Sequence, residues 1–237
     1  MNSVSPELYR AHMIEAKHRL VAIDRILGAK KPRTLSVSLD DEFCWLQLRQ
    51  IVELVAFSAV AADEERYAAL RREAKSNPDY RVDSKPAKVL LNLSQISPHF
   101  LPKSLGNMVL QPDGTKHFVQ GPEIANLERF LEIHDTAGQH LHATNPFSES
   151  EGVAKKLRLA GARQRIRLES DYLKGVLWNH VKVGLLFEAD SSPRIQDNPD
   201  HAWIVSFGNP MDESIEMKLA RGILPAQSVD TATTPKA

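Results

Sequence analysis

Residues Arg129 to Phe147, RFLEIHDTAGQHLHATNPF, gather three of the nine histidines of this 237-residue chain, His134, His140 and His142, with Asp135 directly after the first. Histidine beside a carboxylate is the side-chain pair that passes protons near neutral pH, and with further ligands it can hold a divalent cation. Arg129, earlier on the same segment, would add a fixed positive charge of the kind that steadies a phosphate. A second charge pair, Arg49 and Glu53, lies inside the most apolar stretch of the chain, four residues apart. That spacing places both on one side of a helix, as a structural tie or as a proton-transfer couple. His134, Arg129, Asp135, Arg49 and Glu53 therefore form the candidate catalytic set.

Three specific chemistries can be tried on the histidine segment. Arg129 followed by His134 resembles the motif of HEPN-type ribonucleases, where an arginine and a histidine share a helix of a helical bundle; the resemblance covers these two positions and implies phosphodiester cleavage. Helical spacing puts Ile124, Leu127, Leu131, His134, Gly138 and Leu141 on one packed stripe, with Arg129 roughly 140° away toward the outer face. The pair would then converge only across a dimer. His134-Asp135 within IHDTAGQ is similar to the helix-borne dipeptide of HD-type metal phosphohydrolases. That resemblance implies a divalent site completed by an upstream histidine and a downstream aspartate, for which His117 and Asp171 are available. A plain histidine metal site at His140 and His142 is the third, although residues two apart on a helix face apart. Against all three stands the reading without chemistry. In it His134 is a satisfied core histidine, and His140 and His142 hydrogen-bond the turn through Thr144, Asn145 and Pro146.

A further electrostatic feature lies downstream. Lys155, Lys156, Arg158, Arg163, Arg165 and Arg167 place six cations between residues 155 and 167, and no acid interrupts Gly152 to Leu168. Such a stretch can grip phosphates in a salt-dependent way, but it lacks the interleaved aromatics that single strands stack upon. On a helix its charges would fan around the axis, so a solvated face paired with acids elsewhere is the expectation, and nucleic acid enters as a partner only through this stretch.

The elements that must position these residues follow from apolar spacing. Phe43 to Ala62 is a 20-residue run with 15 apolar positions and only Arg49 and Glu53 charged, the pattern of a helix packed on nearly all sides. A membrane span of that length would carry two ions and two glutamines at mid-depth, so a core helix beginning at Asp40 or Asp41 is the expectation. If the Arg49–Glu53 pair is buried there, deleting one partner would cost about 3–5 kcal/mol. Before it, Tyr9, Met13, Ala16, Leu20, Ile23 and Leu27 recur at steps of four and three, a seam facing another helix. A basic link with a proline, Lys30 to Arg33, joins the two. A shorter amphipathic helix is expected from Pro86 to Ile96. Pro112-Asp113-Gly114 then marks a hairpin within 107–119. Ser148 to Glu151 offers a capping box for a helix reaching Trp178. His180 to Glu188, Ala202 to Phe207 and Ser214 to Leu219 read as strands.

Lys and Arg together number 30, as do Asp and Glu, so no global field draws the chain to nucleic acid or an anionic membrane. The single cysteine, Cys44, excludes an internal disulfide and any multi-cysteine metal site. With no apolar leader in the first residues, a cytoplasmic location is the default. The expected fold is mainly α within the α+β class: a helical bundle around a buried central helix, with a small inserted hairpin and a short C-terminal antiparallel sheet. The organisation expected is a helical domain over 1–178, a β-rich part over 179–221, and a disordered tail over 222–237. Function is expected to be soluble, non-catalytic binding or regulation, with a protein partner or a second copy, and no membrane, metal or cofactor. The alternative is a phosphodiester- or nucleotide-acting hydrolase using the His134 region.

Overall fold

The computed structural model describes residues 5–62, 64–73, 79–97, 99–114, 116–142, 159–183 and 202–220. Helices dominate, and a single small antiparallel sheet accompanies them, an α+β arrangement. In α1 (Ser5–Leu27) the seam read from the sequence is the one that packs: Tyr9, Met13, Ala16, Leu20 and Ile23 are all buried, against α2 (Val37–Ala62).

Helix α2 begins earlier than its apolar run suggests, because Ser36 Oγ accepts the Leu39 amide at 3.2 Å and caps the first turn. Asp40 turns back instead of capping. Its carboxylate accepts the Arg33 amide (3.0 Å), the Thr34 amide (2.9 Å) and the Thr34 hydroxyl (2.8 Å), which fixes the path of the α1–α2 loop. Burial pushes this carboxyl upward, but the three donors outweigh it and hold it below the ordinary range.

Trp45, Leu48, Ile51, Val52, Val55 and Ala56 are buried, and α2 touches α1, α3 (Glu64–Arg72), α4 (Pro86–Ile96), α5 (Leu127–Leu141) and α6 (Ala162–Leu177). By length and composition Val37–Ala61 could cross a membrane, yet most of it lies against protein. Enclosure fails at one place. Phe43 and Leu46 are each 38% exposed, and with Leu39 (42%) they form an outward stripe at i, i+4 and i+7. The near-complete burial expected from Phe43 onward therefore holds only for the inner faces of the helix.

A polar knot closes the α3 end. Tyr67 donates to Asp83 Oδ2 at 3.0 Å and accepts from Asn92 of α4 at 3.3 Å, while Arg71 Nε lies 2.8 Å from the same carboxylate oxygen. The Arg71 and Asp83 side chains are 6% and 12% exposed.

The five strands run in the order β2-β1-β3-β4-β5, each pair antiparallel. They are β1 (Lys103–Leu110), β2 (Lys116–Gln120), β3 (Asn179–Val183), β4 (Ala202–Ser206) and β5 (Glu216–Ala220). Gly114, at φ 82°, makes the β1–β2 turn and donates to Gln111 O at 2.9 Å. The hairpin starts at Lys103, not at 107, and it is no separate insertion. Lys103 pairs with Val181 and Ser104 with His180, so hairpin and C-terminal strands share one sheet. Beyond those two pairs β1 bonds only to β2. Met108, Val109, Leu110, Phe118 and Val119 on this ribbon are all exposed.

Asn126 caps α5 by accepting the Arg129 amide at 2.9 Å. Its buried stripe is Phe130, Ile133 and Ala137, rotated from the predicted one, which lines the edge instead: Leu127, Leu131, His134 and Gly138 are half-buried. Ile124 precedes the helix and is exposed. The capping box at Ser148 to Glu151, the strand beyond Val183, and the tail over 222–237 lie outside the described residues.

Candidate functional site

The α2–α5 contact brings together most of the candidate set. Trp45 meets His140, Arg49 meets Gly138, and Glu53 meets His134, so the two helices run in opposite directions with their polar members in one seam. Arg49 Nε donates to Glu53 Oε1 at 3.0 Å. His134 Nε2 lies 3.5 Å from that same carboxylate oxygen, and its Nδ1 lies 3.6 Å from Asp135 Oδ1. Both ring nitrogens are shielded from solvent and neither makes a hydrogen bond. His134 is therefore a nearly enclosed histidine, but not the satisfied one expected.

For proton transfer a ring nitrogen must face the reacting atom at hydrogen-bond distance. Here one faces a carboxylate already tied to Arg49, and the other faces Asp135, whose side chain is 73% exposed. The Arg49 and Glu53 side chains are about a third exposed, which screens their attraction. Arg49→Ala is accordingly expected to lower stability by about 1 kcal/mol, and not by the 3–5 kcal/mol of a buried pair. Urea unfolding decides it, a loss above about 3 kcal/mol marking the pair as desolvated.

Arg129 is not part of this seam. It reaches α6, where Nε lies 3.3 Å from Glu169 Oε2 and its guanidinium stands 3.8 Å over the Tyr172 ring. Tyr172 in turn donates to Ile124 O at 3.2 Å and accepts the Asn126 amide at 3.0 Å, so the arginine braces the start of α5. Arg129 and His134 thus engage different helices. Of the other residues weighed for a metal, His117 is on the exposed hairpin, and Asp171 lies 3.6 Å from Lys174 Nζ. His140 stacks on Trp45 at 4.5 Å with a 9° interplanar angle, while His142 is exposed. Among the described residues no three His, Cys, Asp or Glu side chains are grouped to hold a metal ion.

No protein-family model matches the chain, and neither the curated proteins nor the solved structures contain a match. In the described part of the basic stretch, Arg163 and Arg165 are paired with acids. Arg163 contacts Asp41 at 3.0 Å and donates to Ile26 O at 2.9 Å; Arg165 contacts Glu132 at 2.6 Å and Glu169 at 3.9 Å. Arg167 is exposed, and Lys155, Lys156 and Arg158 lie outside the described residues.

Sequence reasoning missed a buried polar group under the sheet. His180 is fully buried, its Nδ1 2.7 Å from Leu177 O and its Nε2 2.7 Å from Tyr9 Oη. The carbonyl can only accept, so Nδ1 carries the proton and Tyr9 donates to Nε2. Burial, helped by the Lys182 charge, lowers this histidine to about 4 and keeps the ring neutral; burial also raises the Tyr9 phenol. Lys182, itself buried, donates to Phe100 O at 2.9 Å and His99 O at 3.2 Å, and buried Lys17 donates to Ser214 O at 2.8 Å. In the sequence, His180 and Lys182 alternate with Val181 and Val183, the usual mark of a half-solvated strand. All four are buried here, so the local pattern carried no signal.

Proposed function

We propose that this chain is a soluble, cytoplasmic, non-catalytic binding or regulatory protein, its helices bundled around α2 as a central rod. The observation that carries the reading is the outer half of the β1–β2 hairpin. Met108 pairs with Phe118 on one of its faces and Val109 with His117 on the other, with Leu110 beside the first pair. Apolar side chains exposed on both faces of a two-stranded ribbon are suited to burial against another protein, and β2, the outermost strand among the described residues, can accept a further strand at its edge. The candidate catalytic groups support the same reading, since Arg49, Glu53 and Arg129 are engaged with structural partners.

The test pairs a hairpin variant with an activity screen. Met108→Ser with Phe118→Ser should leave the melting temperature within a degree or so of the parent, because these side chains are exposed. A marked drop would mean that the ribbon supports its own fold and is no contact element. In the screen, ribonucleotide, nucleotide and phosphodiester substrates should show no turnover, and His134→Ala should lose about 1–2 kcal/mol of stability.

A second reading rests on one specific observation, the placing of His134 between Glu53 and Asp135 with Arg49 attached. It is a phosphodiester- or nucleotide-acting hydrolase with His134 as the proton-transferring group. Turnover by the parent that disappears in a folded His134→Ala protein would establish it and overturn the first.

A further inference from the structure

The α1–α2 loop concentrates charge and apolar surface in a way that the functional reading above leaves unused. From residue 29 to residue 39 the sequence is AKKPRTLSVSL, and its only ionisable side chains are the cations Lys30, Lys31 and Arg33. All three are exposed. Next to them Leu35 is 94% exposed, Val37 50% and Leu39 42%, and the outward stripe of α2 carries the apolar surface on to Phe43 and Leu46. This exposure is held in place. Asp40, buried beneath the loop, takes the Arg33 and Thr34 amides and the Thr34 hydroxyl, which fixes the chain directly before the exposed Leu35. Of the acids on α2 next to the stripe, Asp41 is buried and held by Arg163, and Glu42 is half-buried.

An exposed leucine beside three cations has an electrostatic and an apolar half, and one occupant satisfies both. We propose that the 30–39 loop docks the protein on an anionic lipid surface, with Lys30, Lys31 and Arg33 at the headgroups and Leu35, Val37 and Leu39 reaching the acyl boundary. The charge is complementary to a phosphatidylserine-type surface, and the apolar side chains find there the solvent they lack in water. A nucleic acid would use the cations but offer Leu35 nothing, and the loop has no aromatic ring for a base to stack on. The docking is weak and reversible, since three cations and a few apolar side chains fall short of a stable anchor.

Vesicle co-sedimentation of the full chain tests it, with phosphatidylcholine vesicles containing phosphatidylserine against phosphatidylcholine alone. Binding should require phosphatidylserine, weaken as salt is raised, and fall on the order of fivefold for each cation removed. Lys30→Glu with Lys31→Glu should abolish it. Leu35→Ser should weaken it by roughly tenfold, with no change in melting temperature because the side chain is already wet. Equal partition onto both vesicle types at low salt, including none onto either, overturns the proposal. Phosphatidylserine binding that survives Leu35→Ser, or equal retention of a single-stranded oligonucleotide, overturns it in favour of a general polyanion surface.

Discussion

Acidification from pH 6.5 to about 4 is expected to remove on the order of 3 kcal/mol of stability through His180 alone. The ring is buried and neutral, with Tyr9 donating to one nitrogen and Leu177 O accepting from the other. Its folded value, about 4, lies below the 6.5 of an ordinary histidine, so between those values the unfolded chain binds a proton that the folded one refuses. The contribution is therefore complete above the higher value and disappears as pH falls toward the lower. His12, half-buried and lowered by burial, adds in the same direction. Asp40, held below its ordinary 3.8, loses its contribution only at more acid pH. Asp41 runs opposite, because burial raises it despite Arg163 and so acidification favours its folded form. Urea midpoints across this pH range check the sign and size, with His180→Gln as the non-titrating control. A wild-type profile as flat as the variant's would show that the ring is not sealed from water.

The largest single-site loss is expected at Asp83. Its carboxylate accepts from Tyr67 and faces the Arg71 guanidinium, with both charged side chains nearly out of solvent. Removing the acid takes a 2.8 Å counter-charge from a nearly buried guanidinium and an acceptor from Tyr67, so Asp83→Ala should cost about 3–5 kcal/mol. Replacing both ends, Asp83→Leu with Arg71→Met, should recover most of that, because the desolvation penalty leaves with the charges. Equilibrium denaturation of the two single variants and the double closes the cycle. A loss below about 1 kcal/mol for Asp83→Ala would mean that water screens the pair.

Local periodicity made the helical part of this fold legible. The four-three spacing of Tyr9, Met13, Ala16 and Leu20 identified the buried face of α1, and the boundaries of α4 at Pro86 and Ile96 followed from proline and apolar spacing. The outward stripe at Leu39, Phe43 and Leu46 was hidden because composition does not say which neighbours are present to cover a side chain. In α5 the seam was misplaced by about one residue, since Phe130 and Ile133 are as apolar as Leu131 and Leu127. Pairing of Lys103 with Val181 joins segments far apart in sequence and leaves no trace in either. The site divides in the same way. Arg49 beside Glu53 follows from spacing within one helix, whereas the approach of His134 to Glu53 depends on how two helices are rotated against each other.

The Tyr9–His180 hydrogen bond spans 171 residues, and that of Lys17 to Ser214 O spans 197. Helix α1 is therefore synthesised well before two of its polar partners, and each attachment closes a long loop of the polymer. Until those partners are synthesised, the tyrosine and lysine destined for the interior must remain hydrated, so α1 first packs against α2, the element that directly follows it in the chain.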